Sequence, residues 1–141
     1  MTKFAKRRCR ECGQGTIRLV ATPGRTWRYK RFILDVPADF EIPTCDHCGE
    51  EWLEADRADE LDNVLHGQYV ERLTARFDQA IAVLRQYRSQ RVLERLLGLS
   101  QGYLSKLISR TSVPSEQLVT EVVLIANSPD DRLREVEAVW N

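Results

Sequence analysis

The sequence predicts an α+β protein: a small β-rich N-terminal domain over residues 1–66, followed by an all-α domain over residues 67–141. Three observations carry this. The apolar period changes along the chain, from near-alternation before Pro43 to helical spacing after Leu61. All four cysteines lie in the first half, in two Cys-x-x-Cys pairs. Charge is also blocked: residues 1–48 hold ten bases and five acids, 49–70 hold one and seven, and 71–141 hold ten and nine. At roughly 150 residues per domain, 141 residues allow one ordinary domain or two small ones and exclude a large multidomain enzyme. With 43% apolar and 30% charged residues the chain can bury a core and does not resemble a disordered one.

Strand-like segments run over Thr16–Thr22, Tyr29–Val36 and Phe40–Pro43, separated by Pro23-Gly24 and Pro37. The acidic stretch 50–62 reads as a linker. Leu61, Leu65, Tyr69, Leu73, Phe77, Ile81 and Leu84 recur on one helical face, belonging to one helix or to two hinged near Gly67. Short helices follow at 90–97 and 101–109, with Ser89 and Ser100 as caps, and Ser115 caps a helix reaching Ala126. Ser128-Pro129-Asp130-Asp131 opens a last helix, with a capping residue, proline at the first position and two acids at the positive end of the dipole.

Cys9-Arg10-Glu11-Cys12 and Cys45-Asp46-His47-Cys48 are separated by 32 residues. A two-residue spacing lets a tight turn aim both sulfurs at one ion, and two such knuckles joined by a hairpin complete the tetrahedral shell zinc prefers. Gly13 and Gly49 follow each pair and can take the positive φ such turns need. Four committed thiolates leave no open position, so the expectation is one structural zinc per chain; a redox dithiol or disulfides are the alternatives. A β-rich segment of this size cannot close by core burial alone, and a structural zinc contributes on the order of 10 kcal/mol to such folding. His47 could replace a sulfur but is expected to sit exposed between ligands, and His66 is expected on the surface.

Residues 85–110 carry Arg85, Arg88, Arg91, Arg95, Lys106 and Arg110 against Glu94 alone, a basic stripe on a chain of zero formal charge. Within it, Val92, Leu93 and Leu96 form the inner face of a first helix, Gly98 a sharp turn with Leu99 inside, and Leu104, Leu107 and Ile108 the anchor of a second helix. That arrangement leaves Gln101, Gly102, Ser105, Lys106 and Ser109 outside. Gln can pair with a purine edge, Lys can reach guanine or phosphate, and glycine permits close approach, so this reads as a DNA-contacting surface. Arg88, Arg91 and Arg110 suit phosphates; Tyr103 suits core, phosphate or base methyl. An αα-corner with solvated polar residues is the alternative.

The segment Leu96 to Leu107, followed by Pro114-Ser115, resembles the helix-turn-helix of Xre/Cro-repressor type proteins. Together with Cys9 to Gly15 and Cys45 to Glu50, nearly the whole chain resembles the MqsA antitoxin family, whose N-terminal module is the YgiT-type zinc finger. The resemblance implies a dimeric transcription repressor that autoregulates its operon, with zinc in the N-terminal domain and operator DNA on the C-terminal one through Gln101, Gly102 and Lys106. It also implies that residues 1–66 can wrap a ribonuclease toxin. After Ile108 the chain reads Ser109-Arg110-Thr111-Ser112 where many relatives have a glycine.

Leu133, Val136, Val139 and Trp140 place an apolar stripe on the terminal helix, which suits a homodimer interface or packing of Trp140 against the long helix. No run approaches the roughly 18 apolar residues of a membrane helix, and no apolar segment follows the basic first residues, so a cytoplasmic protein, nucleoid-associated through its operator and without a membrane partner, is expected. Nothing beyond the four thiols assembles an acid, base and nucleophile, so a binding protein is expected rather than an enzyme. The competing class is a zinc-ribbon adaptor whose helices contact protein and not DNA.

Overall fold

A computed structural model describes residues 4–141 as an α+β chain with a sheet-rich N-terminal region and a helical C-terminal region. It divides into two compact units that meet in sequence between Tyr69 and Val70.

In the first unit, β1 (Arg7–Arg8), β2 (Thr16–Ala21) and a later strand, Glu41–Cys45, form an antiparallel sheet with β2 in the middle. Between them, β3 (Thr26–Tyr29) and β4 (Phe32–Asp35) pair as a separate hairpin, which makes Glu41–Cys45 the fifth strand, β5. The segment Tyr29–Val36 is therefore not one strand, as its alternation suggests. It contains a two-residue turn at Lys30-Arg31, where Lys30 takes φ 50° although no glycine or asparagine marks the place. The last strand likewise runs past Pro43 to Cys45; Pro43, lacking an N–H, is tolerated because β5 is an edge.

The helix α1 runs without a break over Ala55–Leu84. Gly67 is interior to it and is no hinge, and residues 55–62 of the acidic stretch are helix rather than linker. The reason is the apolar face: all seven of its residues from Leu61 to Leu84 are buried, and their packing outweighs the roughly 1 kcal/mol a helical glycine costs. Within the first unit the hairpin is tied to α1. The Tyr29 hydroxyl lies 3.0 Å from His66 Nδ1, Gln68 Nε2 donates to the Asp35 carbonyl at 2.8 Å, and Tyr69 meets Tyr29 and Phe32 edge-on.

The second unit adds α2 (Gln90–Leu96), α3 (Tyr103–Ile108), α4 (Glu116–Ala126) and α5 (Pro129–Val139). Ser89 Oγ accepts from the Val92 N–H at 3.3 Å and Ser115 Oγ from the Leu118 N–H at 3.1 Å, as their positions suggest. Two expected caps differ. Ser128 makes no side-chain cap bond, so α5 starts on Pro129 and its two acids alone. At α3 the cap is Gly102 with φ 85°, not Ser100, and the helix begins two residues later than the pattern suggests. Leu93, Leu104, Leu107, Leu118, Val122 and Leu133 are buried in this unit. Among the described residues no helix is long and apolar enough to cross a membrane.

Candidate functional site

The sheet order places both cysteine knuckles at one end. The first lies between β1 and β2 and the second closes β5; β2 pairs with both strands, with Ile17 opposite Arg7 on one side and Cys45 on the other. Each knuckle is a backbone turn: the Gly13 N–H donates to the Cys9 carbonyl at 3.1 Å and the Gly49 N–H to the Cys45 carbonyl at 3.2 Å. Both glycines take positive φ, 67° and 76°, which is what the second half of such a turn demands. Further N–H groups point at sulfur, Gly15 at Cys12 (3.4 Å) and His47 and Cys48 at Cys45 (3.4 and 3.5 Å).

The four Sγ atoms all lie within 4.8 Å of one another. Cys9–Cys48 and Cys12–Cys45 are 3.7 Å apart. A regular tetrahedron with zinc–sulfur bonds of about 2.3 Å has edges of about 3.8 Å, whereas a disulfide requires about 2.05 Å. The thiols are free, and their spacing suits a metal ion. Two further features fit that occupant. A Cβ on Gly15 would overlap Cys45 Sγ, so the second knuckle closes directly on the backbone of the first. Trp52 packs on the cluster of Cys9, Ile17 and Cys45, and its Nε1–H is buried with no hydrogen-bond partner among the described residues. An orphaned buried donor costs about 1–3 kcal/mol, and the polar side-chain atoms of that cluster are sulfurs.

The electrostatics agree. The Gly15 N–H, then that of Gln14, hold the Cys12 thiol down to about 6. At Cys48 the Glu50 N–H acts in the same direction, but burial of the sulfur and the hydrogen-bonding thiols of Cys45, Cys9 and Cys12 outweigh it and push the thiol up to about 12. One proton leaves the set easily and the charge left behind resists loss of the last. A dication supplies the missing positive charge, so metal binding expels protons and strengthens as pH rises. His47 is exposed, as expected of a residue between ligands, and His66 is exposed apart from its Tyr29 bond.

In the second unit α2 contacts α3 across a turn in which Gly98 takes φ 68° and the Leu99 N–H donates to the Glu94 carbonyl at 2.8 Å. Leu93, Leu104 and Leu107 are buried, while Gln101, Gly102, Ser105, Lys106 and Ser109 are exposed and Tyr103 is half-buried. Gln101 stands before the Gly102 cap and not on α3, so the angular offset between Gln101 and Lys106 is set by the turn rather than by helical geometry. Arg85, Arg91 and Arg95 are exposed. Arg88 is engaged, its Nε donating to Glu137 Oε1 at 2.8 Å, and Arg110 meets Asp78 at 3.4 Å.

Two residues of this surface escape the sequence pattern. Gln90 Nε2 donates to Ser105 Oγ at 2.6 Å, linking the start of α2 to the outer face of α3. Glu94 is 5% exposed and accepts the Leu104 N–H at 3.1 Å, which satisfies one of the orphan donors at the start of α3. Its one visible signal is that it is the single acid within the basic stripe.

Sheet, knuckles and helices define a unit whose four cysteines are spaced to hold a metal ion, joined in sequence to a helical unit. Comparison with protein-family profiles matched no family, and comparison with curated proteins matched no relative.

Proposed function

We propose that the chain is a sequence-specific DNA-binding transcriptional repressor of MqsA-like antitoxin type, a binding protein rather than an enzyme, with one structural zinc held by Cys9, Cys12, Cys45 and Cys48. The observation that carries the DNA reading is the segment from Gln90 to Ile108. It consists of two short helices joined by a glycine turn, leucines inward, with Ser105, Lys106 and Arg91 exposed. Gln101, Gly102, Ser105 and Lys106 then face base edges, Tyr103 lies at the rim, and Arg91 and Arg110 meet phosphates. Arg88, also read from sequence as a phosphate contact, is held by Glu137.

A homodimer fits the same unit. Leu133 is buried, but Leu124, Val139 and Trp140 are 59%, 69% and 79% exposed, around a groove of about 510 Å³. A two-fold pair closing that groove presents two recognition helices roughly 34 Å apart. The same groove favours the second reading, an adaptor that contacts protein alone. Toxin binding, carried by resemblance, falls to residues 1–66.

A gel shift of the full chain on its own upstream promoter, against a scrambled duplex over a salt series, separates these readings. Tighter promoter binding with a steep salt slope is expected; equal binding to both duplexes would overturn the repressor reading. Gln101→Ala is expected to reduce the promoter preference by roughly 1–3 kcal/mol at one position per half-site, and Arg91→Ala to weaken both duplexes alike and lower the salt slope by about 1.

A further inference from the structure

The four thiols are not equivalent. Cys48 is exposed and Cys12 half-buried, whereas Cys9 and Cys45 are only 2% and 3% exposed. The two 3.7 Å contacts, Cys9–Cys48 and Cys12–Cys45, both cross from one knuckle to the other, and each joins one accessible sulfur to one buried sulfur. That is the arrangement of an oxidisable thiol beside a protected resolving thiol, present twice.

We propose that the metal centre is also a site of oxidative modification, in which a peroxide converts the four thiolates to two cross-knuckle disulfides, Cys9–Cys48 and Cys12–Cys45, releasing the metal while the knuckles stay joined. This rests on the metal reading above. The Cys48 sulfur, which the bound metal would hold as a thiolate, attacks a peroxide oxygen; the O–O bond breaks, the sulfur becomes a sulfenic acid, and the leaving hydroxide takes a proton to become water. The Cys9 thiolate then attacks the Cys48 sulfur, the S–O bond breaks as the S–S bond forms, and a second hydroxide is protonated to water. One peroxide and two protons thus oxidise two thiolates by two electrons. A second peroxide does the same for Cys12 and Cys45, and the metal leaves as the divalent ion with no ligand left to hold it.

The pairing has a structural consequence. Disulfides within Cys9–Cys12 and Cys45–Cys48 would close each knuckle on itself and abolish the link between them. Disulfides across the knuckles keep the first knuckle fastened to the end of β5, as a bound metal would, and start from sulfurs 3.7 Å apart that must close to about 2.05 Å. Oxidation therefore exchanges a metal staple for a covalent one, and the sheet is retained.

The test uses the full chain loaded with zinc and treated with hydrogen peroxide, with zinc release followed by a chromogenic chelator and disulfides mapped without reduction. Cleavage after Arg10 and before Asp46 separates all four cysteines, so the pairings are distinguishable. Release of about one zinc per chain, Cys9–Cys48 and Cys12–Cys45 peptides, and unchanged resistance of residues 4–54 to limited proteolysis are expected, with reversal by a thiol reductant. Within-knuckle disulfides, zinc release without disulfides, retention of zinc, or loss of protease resistance would each overturn the proposal. In Cys48→Ser the remaining disulfide is expected to be Cys12–Cys45 with Cys9 left as a thiol; Cys9 bonded to Cys12 or Cys45 counts against it. If the chain takes up no zinc, the metal reading fails by itself, and the same map on metal-free protein still decides the pairing.

Discussion

At the scale of single residues, Gly15 is the tightest point around the four thiols. A Cβ there would overlap Cys45 Sγ and sit 2.8 Å from His47 Cβ and 2.9 Å from Asp46 Oδ1, and a cysteine sulfur and a Cβ cannot swing aside as the far end of a long side chain can. Gly15→Ala is expected to weaken zinc binding by about tenfold or more, the scale typical of changes just outside a metal's ligands. Gly67→Ala, whose added methyl meets nothing within 4 Å, is expected to leave it unchanged. Competition against a chelator of known affinity measures both, and wild-type affinity for Gly15→Ala would show that the second knuckle yields. Arg110 is the converse case. It holds φ 63° just past α3, a conformation glycine adopts more cheaply.

At the scale of elements, α5 is fastened by one charge-assisted bond to the segment between α1 and α2. Arg88 Nε donates to Glu137 Oε1 at 2.8 Å, with side chains 25% and 34% exposed. That hydrogen bond, followed by the Coulombic attraction of Arg88 and then Arg134, holds the Glu137 carboxyl below its ordinary range. A carboxyl lowered on folding contributes stability that is fully present above its unfolded pKa, about 4.3, and is lost as pH falls through the lowered folded value. The melting temperature of wild type is therefore expected to exceed that of Glu137→Gln by a constant margin above about pH 5 and to converge with it as pH falls through the lowered folded value. A margin that persists in acid would mean that shape, not charge, fastens α5.

At the scale of the molecule, the two units differ in how much apolar surface they bury. Residues 4–54 bury few side chains, chiefly Ile17, Leu34, Val36 and Ile42 with Cys9 and Cys45, whereas residues 70–141 bury Leu73, Phe77, Leu84, Leu93, Leu104, Leu107 and Leu133 among others. Stripping the metal with a strong chelator under reducing conditions is expected to dissolve the strands and expose residues 4–54 to protease, while the helical circular-dichroism signal and the protease resistance of 70–141 persist. Retention of the strands after complete metal removal would place their stability in the small core instead.

The parts readable from sequence are those encoded by local pattern. Cys-x-x-Cys followed by glycine specifies a turn and two ligands wherever it lies, and the period of Leu61 to Leu84 marks the buried face of α1 residue for residue. Ser89 and Ser115 are caps for the same local reason. What pairing decides cannot be read this way. The turn at Lys30-Arg31 exists because β3 and β4 hydrogen-bond to each other, and no residue there announces it. The continuity of α1 through Gly67 reflects burial on both sides of the glycine, which outweighs its intrinsic helix cost. The close approach of Gly15 to Cys45, the burial of Glu94 beneath α3 and the cross-knuckle neighbours among the thiols are contacts between residues 10 to 39 positions apart. The sequence by itself determines which side chains are able to bind a metal and which helix faces must be buried, because those follow from side-chain chemistry and periodicity; only the tertiary structure decides which of them meet, because that depends on strand pairing and packing that no short segment contains.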